Sequence, residues 1–228
     1  MIRIRTALFA FCALSILPFT AVKAADSSAP ERPWREAVRE FAAEHFKHPA
    51  WGYSHCVRDY ALARQLADAD HAKIDDDVLF AAAYLHDMAA FSPWKDEKRD
   101  HSDVGADAID VVLKGTDFPI VKLDAARAAI RTHMYYRVPV VPEAIYLHDA
   151  DALDWLGAIG VVRIFGLVDP EGGEPTSRDA ITTIEDNLKN VPSKIVSPAG
   201  KNLVAPRVAE TRQFLQQLRA ESRNFSDL

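Results

Sequence analysis

PEAIYLHDADALDWLGAIGVVRIFG, residues 142–166, is the stretch whose reading sets the class of fold. Its apolar residues recur three and four apart: Asp151 leads Trp155, Ala158, Val162 and Phe165, while His148 lines up with Ala152, Trp155 and Ile159. That spacing predicts one helix over 142–166, with Pro142 suited to its first turn because the missing N–H is one a helix leaves unpaired. Gly157, Gly160 and Gly166 interrupt it at about 1 kcal/mol each relative to Ala, and close helix packing is the simplest reason to keep them. Working outward, the same periodicity predicts helices over 34–47, 54–68, 76–88, 101–114, 123–134, 177–190 and 201–222. Ser54, Asp75 and Thr176 are expected N-caps, and Pro49, Pro93, Pro119, Pro139 and Pro170 fall between helices. No run of alternating β-branched residues suggests a sheet, so the chain reads as all-α, and 167–176, with Gly172-Gly173, as a loop.

A chain of 228 residues supports one core, and 49% apolar with 26% charged residues is the composition of a folded globular protein. The formal net charge of −6 provides no basic excess for nucleic acid. Residues 1–24 read as a secretory signal: Arg3 and Arg5, an apolar stretch from Ala7 to Val22, then Val22-Lys23-Ala24 as a cleavage site. The stretch is short for a membrane span and is broken by Ser15 and Pro18, so no stable span is expected after cleavage. Residues 25–33 read as a flexible leader and 34–228 as a single helical domain, periplasmic or secreted. Losing Arg3, Arg5 and Lys23 takes the formal charge from −6 to −9. With Cys12 in the signal, Cys56 alone remains, so no internal disulfide forms in the mature chain.

Several metal-capable side chains lie in line with apolar stripes. His55 continues Leu62 and Leu66; His86 continues Leu79, Ala82 and Ala83; His101 leads Gly105, Ala108 and Val112; His133 ends Leu123, Ala126 and Ile130. A charge or imidazole facing a core is costly unless paired, and convergence on one ion satisfies many such groups together. Stripe position alone does not select ligands, because His45 and His148 share it and an inward histidine is more often a hydrogen-bonded core residue.

The order of residues is more telling. His55 is followed by Arg58, the pair His86-Asp87 ends AAAYLHDMA at 81–89, and Asp151 lies in HDADALDWLGAIGVVR at 148–163. The succession H…HD…D over roughly 50–166 resembles the HD-domain family of metal-dependent phosphohydrolases, and DADALDWLGAIG a bacterial branch of it. The resemblance implies an HD-domain-like helical bundle in which His55, His86, Asp87 and Asp151 hold a divalent ion, a mixed nitrogen and oxygen set suited to Mn, Fe, Ni, Co, Zn or Mg. Neighbours on a helix point about 100° apart, so His86 and Asp87 share an ion most easily where their helix ends. His101 and His133 occupy places where some branches put ligands for a second metal or groups that touch substrate. The chain lacks the doubled histidine and Gly-Tyr-Pro tripeptide of the cyclic-dinucleotide branch.

Around this set, Asp154 is placed to support the ligands and Asp149 to bond nearby backbone or a histidine. Asp59, one turn after His55, is placed either to orient that imidazole or as a solvated carboxylate, and Cys56 as a small buried residue. Lys95, Lys98, Arg99, Arg58, Arg137 and Arg163 are the cations available to phosphate oxygens, Arg58 first among them. No phosphate-binding glycine loop and no serine nucleophile elbow is present. The expected activity is hydrolysis of a small phosphoester, a nucleotide or other monoester, by metal-bound water, with Asp87 as ligand and proton acceptor and Arg58 steadying negative charge. The rival readings are an HD-type oxygenase or hydratase acting on a phosphate-free small molecule, and a non-catalytic metal-binding module.

Overall fold

The computed structural model describes residues 33–228, and among them every regular element is helical. The signal peptide and nearly all of the leader read above lie outside the described residues; Pro33 already opens the first helix. Ten α-helices follow: α1 Pro33–His45, α2 Tyr53–Ala69, α3 Asp76–Leu85, α4 His101–Ala108, α5 Asp110–Leu113, α6 Leu123–Arg131, α7 Pro142–Asp154, α8 Gly157–Phe165, α9 Ser177–Asn190 and α10 Pro198–Glu221. None is long and apolar enough to cross a membrane.

The centre of the bundle is α3, DDVLFAAAYL, buried from Asp77 to Leu85. A helix apolar on all sides belongs inside, and its alanines let neighbours approach closely. Helices α2, α6, α7 and α1 pack around it. Trp34 of α1 sets its ring edge-on to Phe80 and Phe118, at 5.3 and 4.9 Å between centroids. Such aromatic pairs add about 1 kcal/mol beyond the area they bury. Asp75 caps α3 through the backbone N–H groups of Asp77 and Val78, and Thr176 with Asp179 forms a reciprocal capping box on α9. Ser54, expected as a cap, lies inside the first turn of α2, whose N-cap is Gly52. Ser197 caps α10 instead, accepting from the Gly200 N–H, so that helix begins three residues before the expected 201.

The helix expected over 142–166 is two. It stops at Asp154 and restarts at Gly157, whose φ of +72° is a left-handed conformation that L side chains rarely adopt. The Gly157 N–H donates to Thr211 Oγ1 at 2.8 Å, tying the break to α10. Gly160 then lies so close to the Trp155 backbone that a Cβ would come within 2.3 Å of it. Apolar periodicity continues across the break, which is why spacing alone does not show it. The helix expected over 101–114 is likewise divided at Ile109, and α6 ends at Arg131, leaving His133 beyond its last turn.

A smaller apolar cluster joins α8, α9 and α10: Val161, Ile164, Ala180, Ile181, Ile184, Leu215 and Phe225.

Candidate metal centre

Three helix segments bring the expected ligands together. His55 sits in the first turn of α2, and Asp151 lies on the buried face of α7. His86 is the residue at which α3 stops, and Asp87 follows as the chain turns into a short 3-10 segment, Met88–Ala90. That ending lets two consecutive side chains face one point. From His55 Nε2, Asp151 Oδ1 is 3.3 Å away, His86 Nε2 3.2 Å and Asp87 Oδ2 3.6 Å. Asp87 Oδ2 is 3.3 Å from His86 Nε2. All four residues are buried.

The orientation of each imidazole follows from its other nitrogen. His55 Nδ1–H donates to Asp154 Oδ2 at 2.9 Å, His86 Nδ1–H to the Ala83 carbonyl at 2.9 Å, and His133 Nδ1–H to the Ile130 carbonyl at 2.6 Å. A neutral ring that donates from Nδ1 presents a lone pair at Nε2. Three Nε2 lone pairs therefore point at carboxylate oxygens and at one another, an arrangement that repels unless positive charge stands among them. His133 Nε2 receives no hydrogen bond, nor does either oxygen of Asp59. Orphaned, buried acceptors around a mixed nitrogen and oxygen donor set fit a divalent cation well.

Charge reinforces the point. Burial opposes the ionised form of His55 and His86, and Arg163 adds to that opposition at His55, yet the surrounding carboxylates raise both imidazoles above their ordinary value. Burial likewise opposes charge on Asp87, but His86 and a hydrogen bond from His101 hold it well below the carboxylate range. Asp59 goes the other way: burial, then the charges of Asp154 and Asp151, push it well up. Burial and the adjacent His86 lower His133 to about 4. The pocket attracts positive charge and lacks enough of its own.

His101 and His133 join the same centre through the other oxygen of Asp87. His101 Nε2 is 3.4 Å and His133 Nε2 3.8 Å from Asp87 Oδ1, so Asp87 faces His55 and His86 with one oxygen and these two histidines with the other. Arg58 is engaged elsewhere. Its guanidinium donates to both Asp154 oxygens, at 2.8 to 3.2 Å, and it does not line the neighbouring cavity, so its contact is with the support of His55 rather than with a substrate's position. Arg163, fully buried, pairs with the same carboxylate at 3.0 Å, donates to the Ala50 carbonyl, reaches His55 Nε2 at 3.3 Å and lies over the Trp155 ring. Asp154 is thus held between two guanidiniums while it holds His55, which fixes that ring's tautomer.

Other expectations resolve simply. Asp149 accepts from the Val196 and Ser197 N–H groups and pairs with His148, which is a hydrogen-bonded core histidine. Cys56 is a buried free thiol. Arg137 is bound to Asp100 and Asp103. Asp59, left between two roles by the sequence, is buried inside the cluster. Its position one turn past His55 on the same face is the signal that places it there.

A cavity of about 480 Å³ opens onto this centre. Asp87, His101 and Asp151 lie along its lining together with Trp51, Trp155, Lys95 and Arg99. His48 stacks on Trp51 at 3.6 Å, as Arg163 does on Trp155 at 3.7 Å.

Comparison with known proteins agrees with this geometry. Residues 52–156, from the N-cap of α2 to the residue before Gly157, match the family model described as HD domain. No curated protein gives a significant sequence match. Among solved structures, a Lactobacillus plantarum protein superposes with a TM-score of 0.62 at 23% identity, over 82% of this chain and 95% of that one. A predicted HD superfamily hydrolase from an uncultured Thermotogales bacterium gives 0.58 at 25% identity, over 82% and 90%. Bacillus subtilis YpgQ in complex with ADP gives 0.59 at 18% identity, over 82% and 97%.

Proposed function

The chain belongs to the HD-domain family, and from that premise we propose that it is a metal-dependent hydrolase whose substrate is a small phosphoester, a nucleotide or other phosphate monoester. The observation that carries the reading is the convergence of His55, His86, Asp87 and Asp151 beside the 480 Å³ cavity, with lone pairs and carboxylates turned toward one point. A divalent ion bound there would acidify a water and draw charge from a phosphoryl oxygen.

The chain's own residues supply the rest. Asp87 lines the cavity and is the candidate acceptor for the attacking water's proton; His101 Nε2, 3.4 Å from Asp87, is the candidate donor to the departing oxygen. Asp154, Arg58 and Arg163 keep His55 in the tautomer the centre needs. The cavity lining is rich in acids: Asp87, Asp96, Glu97, Asp100 and Asp151 against Lys95 and Arg99. A phosphate group enters such a lining only with cationic help, which ties an anionic substrate to the metal. Trp51 and Trp155 offer aromatic faces suited to a base, and YpgQ was solved with ADP. The export signal read at residues 1–24 supports a periplasmic or secreted location, with Ala25 as the expected mature N-terminus.

The test is mature protein assayed for bound metal and for phosphate release from a generic ester and a nucleotide panel, beside Asp87→Ala. Release that stops on chelation, returns with metal and is absent in the variant supports the proposal. Release that survives the substitution overturns it, and bound metal with no release from any ester transfers the site to phosphate-free chemistry.

A further inference from the structure

Asp59 is the buried acid for which the family-like ligand set has no use. It lies one turn after His55 on α2, with no exposed surface, and neither carboxylate oxygen receives a hydrogen bond. Its Oδ2 is 3.2 Å from His55 Nε2 and 3.7 Å from His86 Nε2. One donor atom each from His55, Asp59, His86 and Asp151 lie within 4.8 Å of one another.

Two buried oxygens that receive no hydrogen bond need a partner, and the nearby guanidiniums are occupied. Arg58 is on Asp154, and Arg163 is shared among Asp154, the Ala50 carbonyl and His55. A proton on His55 Nε2 is the simplest substitute. Arg163 Nη2 already faces that nitrogen at 3.3 Å and has only hydrogens to offer it, so a second hydrogen there would meet a donor instead of an acceptor.

We infer that Asp59 is a fifth protein ligand of the ion, alongside His55, His86, Asp87 and Asp151. The inference rests on the metal-centre reading above. It gives the site three carboxylates to two imidazoles, a donor set weighted toward oxygen that favours manganese, iron or magnesium over ions preferring nitrogen and sulfur.

The experiment uses metal-stripped protein titrated with manganese, following the free-ion electron paramagnetic resonance signal, for wild type and Asp59→Asn. The expected result is a loss of manganese affinity of at least about tenfold, with the far-ultraviolet circular dichroism of the metal-free variant unchanged. Unchanged affinity overturns the inference and makes Asp59 a hydrogen-bonding partner of His55. A wild type that binds no manganese, iron, zinc or magnesium overturns the metal centre itself, a separate failure. Should Asp59→Asn not fold, a manganese-loaded crystal of wild type decides the matter: an Asp59 oxygen at bonding distance from the ion supports the assignment, and one outside it refutes it.

Discussion

Two buried clusters of this molecule are held by different forces. Where α8, α9 and α10 meet, Val161, Ile164, Ile181, Ile184, Leu215 and Phe225 are apolar, and their burial suffices for cohesion. Where α2, α3 and α7 meet, Asp59, Asp87, Asp151 and Asp154 share the interior with His55, His86 and His133, all no more than 8% exposed. The first cluster is complete as it stands. The second keeps lone pairs and carboxylate oxygens that Arg58 and Arg163 do not reach, so a bound cation would add to its cohesion. Stability and function are thus divided between neighbouring parts of one bundle, and substitutions should separate them.

The largest effect expected is on catalysis. Asp151→Ala should abolish metal-dependent ester hydrolysis while leaving the melting temperature of the metal-free protein nearly unchanged or higher; a large fall in the latter would show that the acid is structural. Ile184→Ala, in the apolar cluster, should do the reverse, costing about 3 kcal/mol in denaturant unfolding with bound metal unaltered. Asp154→Asn keeps the shape but weakens the hold on His55 Nδ1, and a loss of about 10- to 100-fold in metal affinity is expected by chelator competition.

The smallest effect is on pH dependence. His133 is lowered from 6.5 to about 4, so the unfolded chain binds a proton that the folded one refuses across that interval. The associated stability is fully present above 6.5 and is lost as pH falls toward 4, with a slope of about 1 kcal/mol per pH unit. His55 and His86, both raised, slope the other way, so the measurement is the difference between metal-free wild type and His133→Gln. A difference that does not change with pH between 6.5 and 4 would show that His133 is not held neutral.

Much of this was legible in the sequence, for physical reasons that also mark where legibility stops. Helices α3 and α9 announce themselves through periodicity and caps, since Asp75 and Thr176 solve a local problem with local atoms. The gathering of His55, His86, Asp87 and Asp151 was implied by the resemblance to the HD-domain family that these residues carry. The break at Trp155-Leu156 was not, because its cause is tertiary: Thr211 takes the Gly157 N–H, and that partner is 54 residues away. Beyond the same break, Arg163 of α8 reaches Asp154 and His55, a contact no spacing rule contains. Arg58 shows the converse limit. Proximity to His55 in sequence suggested a hand on the substrate, whereas its fork is taken by Asp154.

His86 and His133 reach the centre by one device used twice: each stands where a helix stops and ties its Nδ1 to the carbonyl three residues earlier. Such a donor requires nothing of the distant chain beyond a place to point. Imidazoles built this way carry their own support: taking one away would leave a single helix-terminal carbonyl in need of another donor, and no side chain of a distant helix would lose its orienting partner.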